Sequence, residues 1–544
     1  MRVASSPAAT GTGAVVAAAS GRRPWWVWVV PSVLLFVLLC ARNWFLFTAR
    51  LYEQGDSAAN SILIAQAKHF TLLVGNYSRE GFNHPGPAYM YVQAVGEYLF
   101  QNWLHAVPTA WNAHVLAVFA LNGAFAALAV GVVYGWTGSL KGAAACFAVI
   151  VAFAVAHPPI VDSAWMPYVY VPTYVVFLIA AGSVAAGRLA DAWILALSGW
   201  FLIHGQACFL LFVPVGTLAV LAALGWPRRR RLRASARSFF ATRRDVWVPV
   251  AVISAVFLLP IVVNLVLHWP GDFGKYISYG NSAQAGKNSF GRVIGYALWY
   301  WWPYRVAWLA PVLLLVLALA VILRLTSGSL RRFLLALLAV NVVSTLTFLL
   351  YATVGIDILA RYIGYFYWSA PLVMVLIIVV AVVEALRLRL GTRRPGRTRS
   401  ESGPSGAERR SLDLGTGVAL LAAVAAFTTL AVIPGTRTST ADIDGSLPSV
   451  VATLAARAPG RTIVLGLDHV AWPEAVGFLV QAERTGVPAC IADPWYSFIV
   501  TSQFICTPGQ AAAGQPYWFY APPVPAGTRV LARLNGVAVV AAPS

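Results

Sequence analysis

Long uncharged apolar runs constrain this chain more than any other feature. Eight of them, at residues 25–47, 111–137, 169–186, 246–267, 306–323, 333–353, 366–386 and 415–433, are long enough as helices to cross a hydrocarbon core about 30 Å thick. A water-soluble core has no room for them. The chain is 59% apolar and 11% charged, less than half the charged share of roughly a quarter that soluble domains carry. Residues 142–156 form a shorter run, bounded by Lys141 and a polar segment, and are counted as a further span. The stretch 192–224 is too long for one crossing. Arg188 precedes it and Arg228, Arg229, Arg230 and Arg231 follow it, so both ends belong on the cytoplasmic side and the chain must turn near His204-Gly205-Gln206. About eleven spans result, with the N-terminus inside and the C-terminus outside, as in a multi-pass plasma-membrane protein.

The net charge of +20 would also suit a nucleic-acid partner, so the placement of the charges matters. On this topology 24 Lys and Arg and 6 Asp and Glu lie on the cytoplasmic side, a surplus of +18 against +2 elsewhere. The excess, concentrated at 228–244 and 387–410, is therefore an orientation signal facing the lipid bilayer, and no nucleic-acid partner is expected. Residues 1–24 are an Ala/Ser/Gly-rich cytoplasmic N-terminus ending just after Arg22-Arg23. With the apolar run behind it, this reads as a retained signal anchor. No fixed-period repeat or pair of matching interrupted helices suggests an inverted-repeat transporter.

Residues 25–433 thus read as the transmembrane domain of an all-α polytopic protein with large outer loops at 48–110 and 268–304. Residues 434–544 read as a small extracytoplasmic α/β domain, with strands at 461–468 and 487–493 around a helix at 473–484. Cys40, Cys146 and Cys208 fall in apolar spans. Cys490 and Cys506 fall in the exported tail, where a disulfide worth about 3 kcal/mol is expected. No CxxC, HExxH or Cys/His cluster points to a metal or redox group, so no cofactor is expected, with a divalent ion left open.

Ionisable residues at a membrane boundary are functional candidates, and the first outer loop holds most of them. It opens with Glu53, Gly55-Asp56 and Asn60, and continues through a helical segment to Asn76-Tyr77-Ser78-Arg79 and His84-Pro85-Gly86-Pro87. A second helix at 88–104 repeats Gln93, Glu97 and Gln101 every four positions, the pattern of an interfacial helix with one wet stripe. Each piece has a plainer reading. Asp56 suits a helix N-cap, the His84 to Pro87 run suits a turn opening a helix, and Tyr77 and the tryptophans suit an aromatic belt. Arg79 fits an anionic headgroup better than a brace.

Together these motifs resemble the GT-C superfamily, polytopic glycosyltransferases that take a sugar from a polyprenyl-phosphate carrier on the non-cytoplasmic face. In that superfamily the first outer loop carries two helices along the membrane and a catalytic carboxylate near its start, the place occupied here by Asp56. Residues 77–79 and 84–87 are similar to a segment of bacterial, actinobacterial-type members. Arg361-Tyr362 is similar to an element that contacts carrier phosphate, although the chain departs from it in reading Ala360-Arg361-Tyr362-Ile363-Gly364. The resemblance covers 25–104 at the level of motifs, the other spans by topology, and the tail not at all. It implies a hexosyl- or pentosyltransferase of cell-envelope biogenesis, with a polyprenyl-phosphate sugar donor and a glycan, lipid or protein acceptor.

Such a transfer needs a base for the acceptor hydroxyl and cations for the departing phosphate. Asp56 is the candidate base of an inverting, metal-independent reaction. Arg79, Lys275 and Arg361 are the candidates to converge on the phosphate, with Asn60, Tyr77, His84 and Tyr362 as further substrate-binding residues. His204 and Gln206 either line the same cavity or cap the helical turn. Arg305 is another cation, and Asp162 and Asp357 are outer-edge carboxylates that could pair with the cations. Glu53 is expected to pair with Arg50. The alternative is a transporter or flippase of a lipid-linked sugar, whose site would lie near the midplane, whereas the candidates here cluster at one boundary.

Overall fold

The computed structural model describes residues 23–225, 242–282, 288–301, 309–356, 360–392, 443–524 and 526–542. The expected span 415–433, the arginines 228–231, Arg305 and Asp357 lie outside the described residues. Five helices are long and apolar enough to cross a membrane: Ala110–Thr137, Met166–Ala185, Arg244–His268, Gly328–Val354 and the continuous stretch Arg361–Arg389. Trp26–Arg42, Leu140–Ala156, Leu189–Gly205, Phe209–Gly225 and Ala310–Leu325 are apolar but shorter. The stretch 192–224 breaks between Gly205 and Phe209, at the turn that the flanking arginines required.

Local sequence explains several of these boundaries. The Thr109 hydroxyl accepts the Asn112 N–H to start Ala110–Thr137, which stops at a left-handed Gly138, and Ser139 caps the next helix by accepting from Gly142 N–H. Trp26–Arg42 packs along Ala110–Thr137, and their backbones close up at Gly123. A Cβ there would lie 2.6 Å from the Ser32 carbonyl oxygen. Arg244–His268 and Ala310–Leu325 leave Val252, Val256, Leu259, Val266, Leu313 and Val316 exposed, a surface that lipid accommodates and water penalises.

Buried charges inside the bundle are paired. Arg23 bonds Asp191, and Arg42 bonds Asp162 at 2.7 Å. Asp162 is therefore not a partner for the loop cations, because the buried guanidinium at the end of the first helix needs it. The expected wet stripe of the 88–104 helix is also corrected. Gln93 and Glu97 are buried, and after Gly96 the helix widens into the π-helical segment Glu97–Trp103. Glu97 takes hydrogen bonds from Lys68 and His114. Burial opposes ionisation, but these two partners hold its carboxyl down at about 2. Gln93 and Glu97 face inward because the helix packs on Ala110–Thr137, which presents His114, while Gln101 stays half-buried.

The tail is a five-stranded sheet of β1 (Ile463–Leu467), β2 (Ala489–Ile491), β3 (Gln515–Tyr520), β4 (Val530–Leu534) and β5 (Val537–Ala541), in the order β2-β1-β3-β5-β4. β2, β1 and β3 run parallel; β5 pairs antiparallel with β3 and β4. Helix Trp472–Arg484 makes the crossover from β1 to β2, and β4 and β5 turn at Asn535-Gly536, both with positive φ. Cys490 and Cys506 are disulfide-bonded. Ala58, Ala59 and Ile62 of helix Gly55–Lys68 share one apolar core with Ala475, Phe478 and Leu479 of the tail.

Candidate functional site

Residues 75–84 fold back as a tight hairpin. Ser78 N–H donates to the Phe82 carbonyl at 2.7 Å, Tyr77 and Asn83 pair antiparallel, and Gly81 takes φ +76°, a turn conformation that glycine adopts without strain. Arg79 and Glu80 stand exposed at its tip. The second outer loop clamps the hairpin: Lys275 Nζ donates to the Gly81 carbonyl at 2.9 Å and the Tyr276 hydroxyl to the Asn83 carbonyl. Beyond it, a Cβ on Gly86 would run into the His204 ring, so the turn before Ala88 can approach the 205–209 break only as glycine.

This hairpin, the start of helix Gly55–Lys68, the 205–209 break and the segment 360–363 enclose a cavity of about 640 Å³. Asp56, Asn60, Tyr77, Arg79, His84, Gln206 and Tyr362 all line it, seven candidates scattered over some three hundred residues. Gly55 begins the helix with Gln54 as N-cap, so Asp56 is not the cap. Its carboxylate instead accepts the Tyr77 hydroxyl on one oxygen and Trp165 Nε1–H on the other, the latter at 2.7 Å. Tyr77 is thus a buried partner of Asp56, not a belt residue. Burial, then the neighbouring carboxylate, pushes the Tyr77 phenol well up, which keeps it a donor.

Three expected cavity residues lie elsewhere. His204 is buried behind the wall, accepting Ala88 N–H on Nδ1 and donating from Nε2 to the Phe257 carbonyl, so it braces the turn. Lys275 is more than half exposed and pairs with Asp272 at 3.2 Å while tying down Gly81. Arg361 is exposed with its guanidinium over the Trp299 ring at 4.9 Å, although its neighbours Ala360 and Tyr362 reach the cavity. The cause is shared: a neutral or anionic neighbour nearer than the cavity takes each group first. Glu53 is corrected too, since it pairs with Arg484 of the tail at 2.6 Å and not with Arg50.

The electrostatics of the cavity are divided. Among the described residues no cation lies within ion-pair distance of Asp56, and no carboxylate within that distance of Arg79. Burial pushes the His84 imidazole down to about 4, leaving it neutral at pH 7. Its Nδ1 accepts Ala207 N–H at 3.3 Å, which puts the proton on Nε2. Among the described residues the cavity thus offers the Asp56 carboxylate held by neutral donors, a guanidinium at ion-pair distance from no carboxylate, the adjoining Glu80 carboxylate and a neutral imidazole donor. No three His, Cys, Asp or Glu side chains converge to hold a metal among the described residues.

No protein-family model matches the sequence, and no curated protein matches it either.

Sequence reasoning missed Trp165, Tyr170, Tyr276, Tyr279 and Tyr351, which supply the aromatic walls. Trp165 holds Asp56 from 109 residues away, and nothing local to Ser163-Ala164-Trp165 marks it. Tyr276 had a signal in its neighbour Lys275, whose loop was a candidate for the wrong side chain.

Proposed function

We propose that this chain is a membrane glycosyltransferase that moves a sugar from a polyprenyl phosphate to a hydroxyl acceptor. In this reading about eleven spans place the cavity, both outer loops and the tail on the extracytoplasmic face. The observation that carries it is the Asp56 carboxylate, held by two neutral donors and, among the described residues, paired with no cation, in a cavity that Arg79 also lines. Asp56 removes the acceptor proton as that oxygen attacks the anomeric carbon. The bond from this carbon to the phosphate oxygen breaks, its electron pair leaves with the polyprenyl phosphate, and Arg79 balances the charge. Tyr77 and Trp165 orient the carboxylate without pairing it with a cation. The aromatic walls offer faces for a sugar ring.

Purified full-length protein offered a panel of radiolabelled polyprenyl-phosphate sugars should release polyprenyl phosphate from at least one donor, and Asp56→Asn should stop this. Vesicle assays in which the intact lipid-linked sugar changes leaflet without release would replace the transferase with a flippase.

A further inference from the structure

Three consecutive residues before the Asp56 helix are each tied to the tail. The Tyr52 carbonyl accepts Asp444 N–H at 2.9 Å, Glu53 is gripped through both oxygens by Arg484 at 2.6 and 3.1 Å, and Gln54 Oε1 accepts Asn535 Nδ2–H at 2.7 Å. Glu53 is only 1% exposed and also accepts the Ser61 hydroxyl, so its carboxylate is fully committed to this contact. The Glu53 backbone lies so close to helix Trp472–Arg484 that a Cβ on Gly477 would sit 2.8 Å from its carbonyl oxygen. The chain then passes through Gly55, at φ +54°, directly into Asp56. The Asp56 helix is wedged between two bodies: Leu63, Ile64 and Ala67 face the bundle, and Ala58, Ala59 and Ile62 face the tail.

We infer that the tail is a working part of the cavity and that Arg484, through its fork on Glu53, is the positioning residue that sets the register of Asp56 against Tyr77 and Trp165. A guanidinium clamped on a buried carboxylate three residues upstream fixes the entry of the helix in direction as well as place, which a lysine could not do. Tyr77 is reached from the same side, with Trp472 and Phe498 of the tail packed edge-on or tilted against its ring at 6.4 and 6.3 Å. The tail therefore holds both the carboxylate and one of its two donors. This inference rests on the transferase reading for its kinetic test, and on the contact alone for its physical one.

The kinetic test compares full-length wild type, Arg484→Met and Arg484→Lys. A small misplacement of a catalytic group costs about 100-fold, so Arg484→Met should lower kcat about 100-fold with donor Kd within about threefold. Arg484→Lys, which leaves Glu53 paired and the fold intact, should lower kcat about tenfold. Asp56 is faced by Tyr77 from the hairpin and by Trp165, and Tyr77 in turn by Arg79 and Tyr362; Glu53 is faced by Ser61 and Arg484, with His114 further off. Loosening the first set weakens hydrogen bonds to the carboxylate, so the acid limb of kcat should move to higher pH in both variants. A merely structural role would lower the amplitude at every pH and leave the limb in place. Wild-type kcat in Arg484→Lys, or an unmoved acid limb in both variants, overturns the inference. Hydrogen exchange at residues 55–60 separates this from the transferase reading. It should quicken about tenfold in Arg484→Lys whether or not any donor is turned over, and unchanged exchange overturns the clamp even in an active enzyme.

Discussion

Asp56 and Glu97 are both acidic residues of the segment between the first two apolar runs, yet they sit in opposite electrostatic settings. Glu97 is buried, with Lys68 on one oxygen and His114 on the other, and every charge is answered. Asp56 is half-buried and receives a phenol and an indole; among the described residues no cation pairs with it, and none of their carboxylates pairs with Arg79, which lines the same cavity. A carboxylate that braces a fold has its oxygens taken by charged or imidazole donors, because burial is costly otherwise; one that must accept a proton is oriented by neutral donors without a cation. Arg79 and Lys275 repeat the contrast among the cations. Arg79 lines the cavity with no carboxylate partner among the described residues, whereas Lys275 is spent on Asp272 and Gly81.

The contrast breaks first at Asp56. Asp56→Asn keeps the shape and can still bond Tyr77 and Trp165, so the fold should hold while kcat drops by about 10² to 10⁴-fold in a donor-release assay. Near wild-type turnover would reduce Asp56 to a spacer. Next, Arg79→Ala should lower kcat/KM by about 10 to 100-fold, with Arg79→Lys recovering part of it as a point charge without a fork. Glu97→Gln should behave in the opposite way. It leaves Lys68 and His114 without their anion and should cost about 1–3 kcal/mol in thermal unfolding, with turnover per folded molecule unchanged. Because the folded Glu97 carboxyl is held at about 2 against an ordinary value of 4.5, its stabilisation is complete above pH 4.5 and is lost as pH falls from there toward 2. Glu97→Gln should flatten that part of the acid-unfolding curve. The smallest effect belongs to Lys275→Ala, at an exposed ion pair: turnover within about twofold and stability within about 0.5 kcal/mol.

Much of the architecture was legible locally. The hydropathy runs located the helices, the arginines on either side of 192–224 demanded its turn, and two cysteines in a tail without other thiols met as a disulfide. Within the tail, β1, β2 and the helix between them followed from local runs: short apolar strands on either side of a helical segment. β3 to β5 did not, although Asn535-Gly536 between two apolar runs is a hairpin signal that the sequence carries openly. The wet stripe failed for a physical reason: four-residue spacing identifies a common face of a helix, but not whether water or a buried His114 lies opposite it.

The candidate site divides along the same line. Sequence by itself determined that the chain is apolar, helical and charge-asymmetric, and that Asp56, Asn60 and Arg79 gather in one short loop, because hydropathy, helical period and turn chemistry act over a few residues. Tertiary structure alone decided which charges are answered. The donors that orient Asp56 come from 21 and 109 residues away, and the guanidinium that claims Glu53 from 431. Whether a carboxylate is braced by a cation or held by neutral donors depends on what the fold brings to within hydrogen-bond reach, and no local pattern encodes a neighbour at that distance.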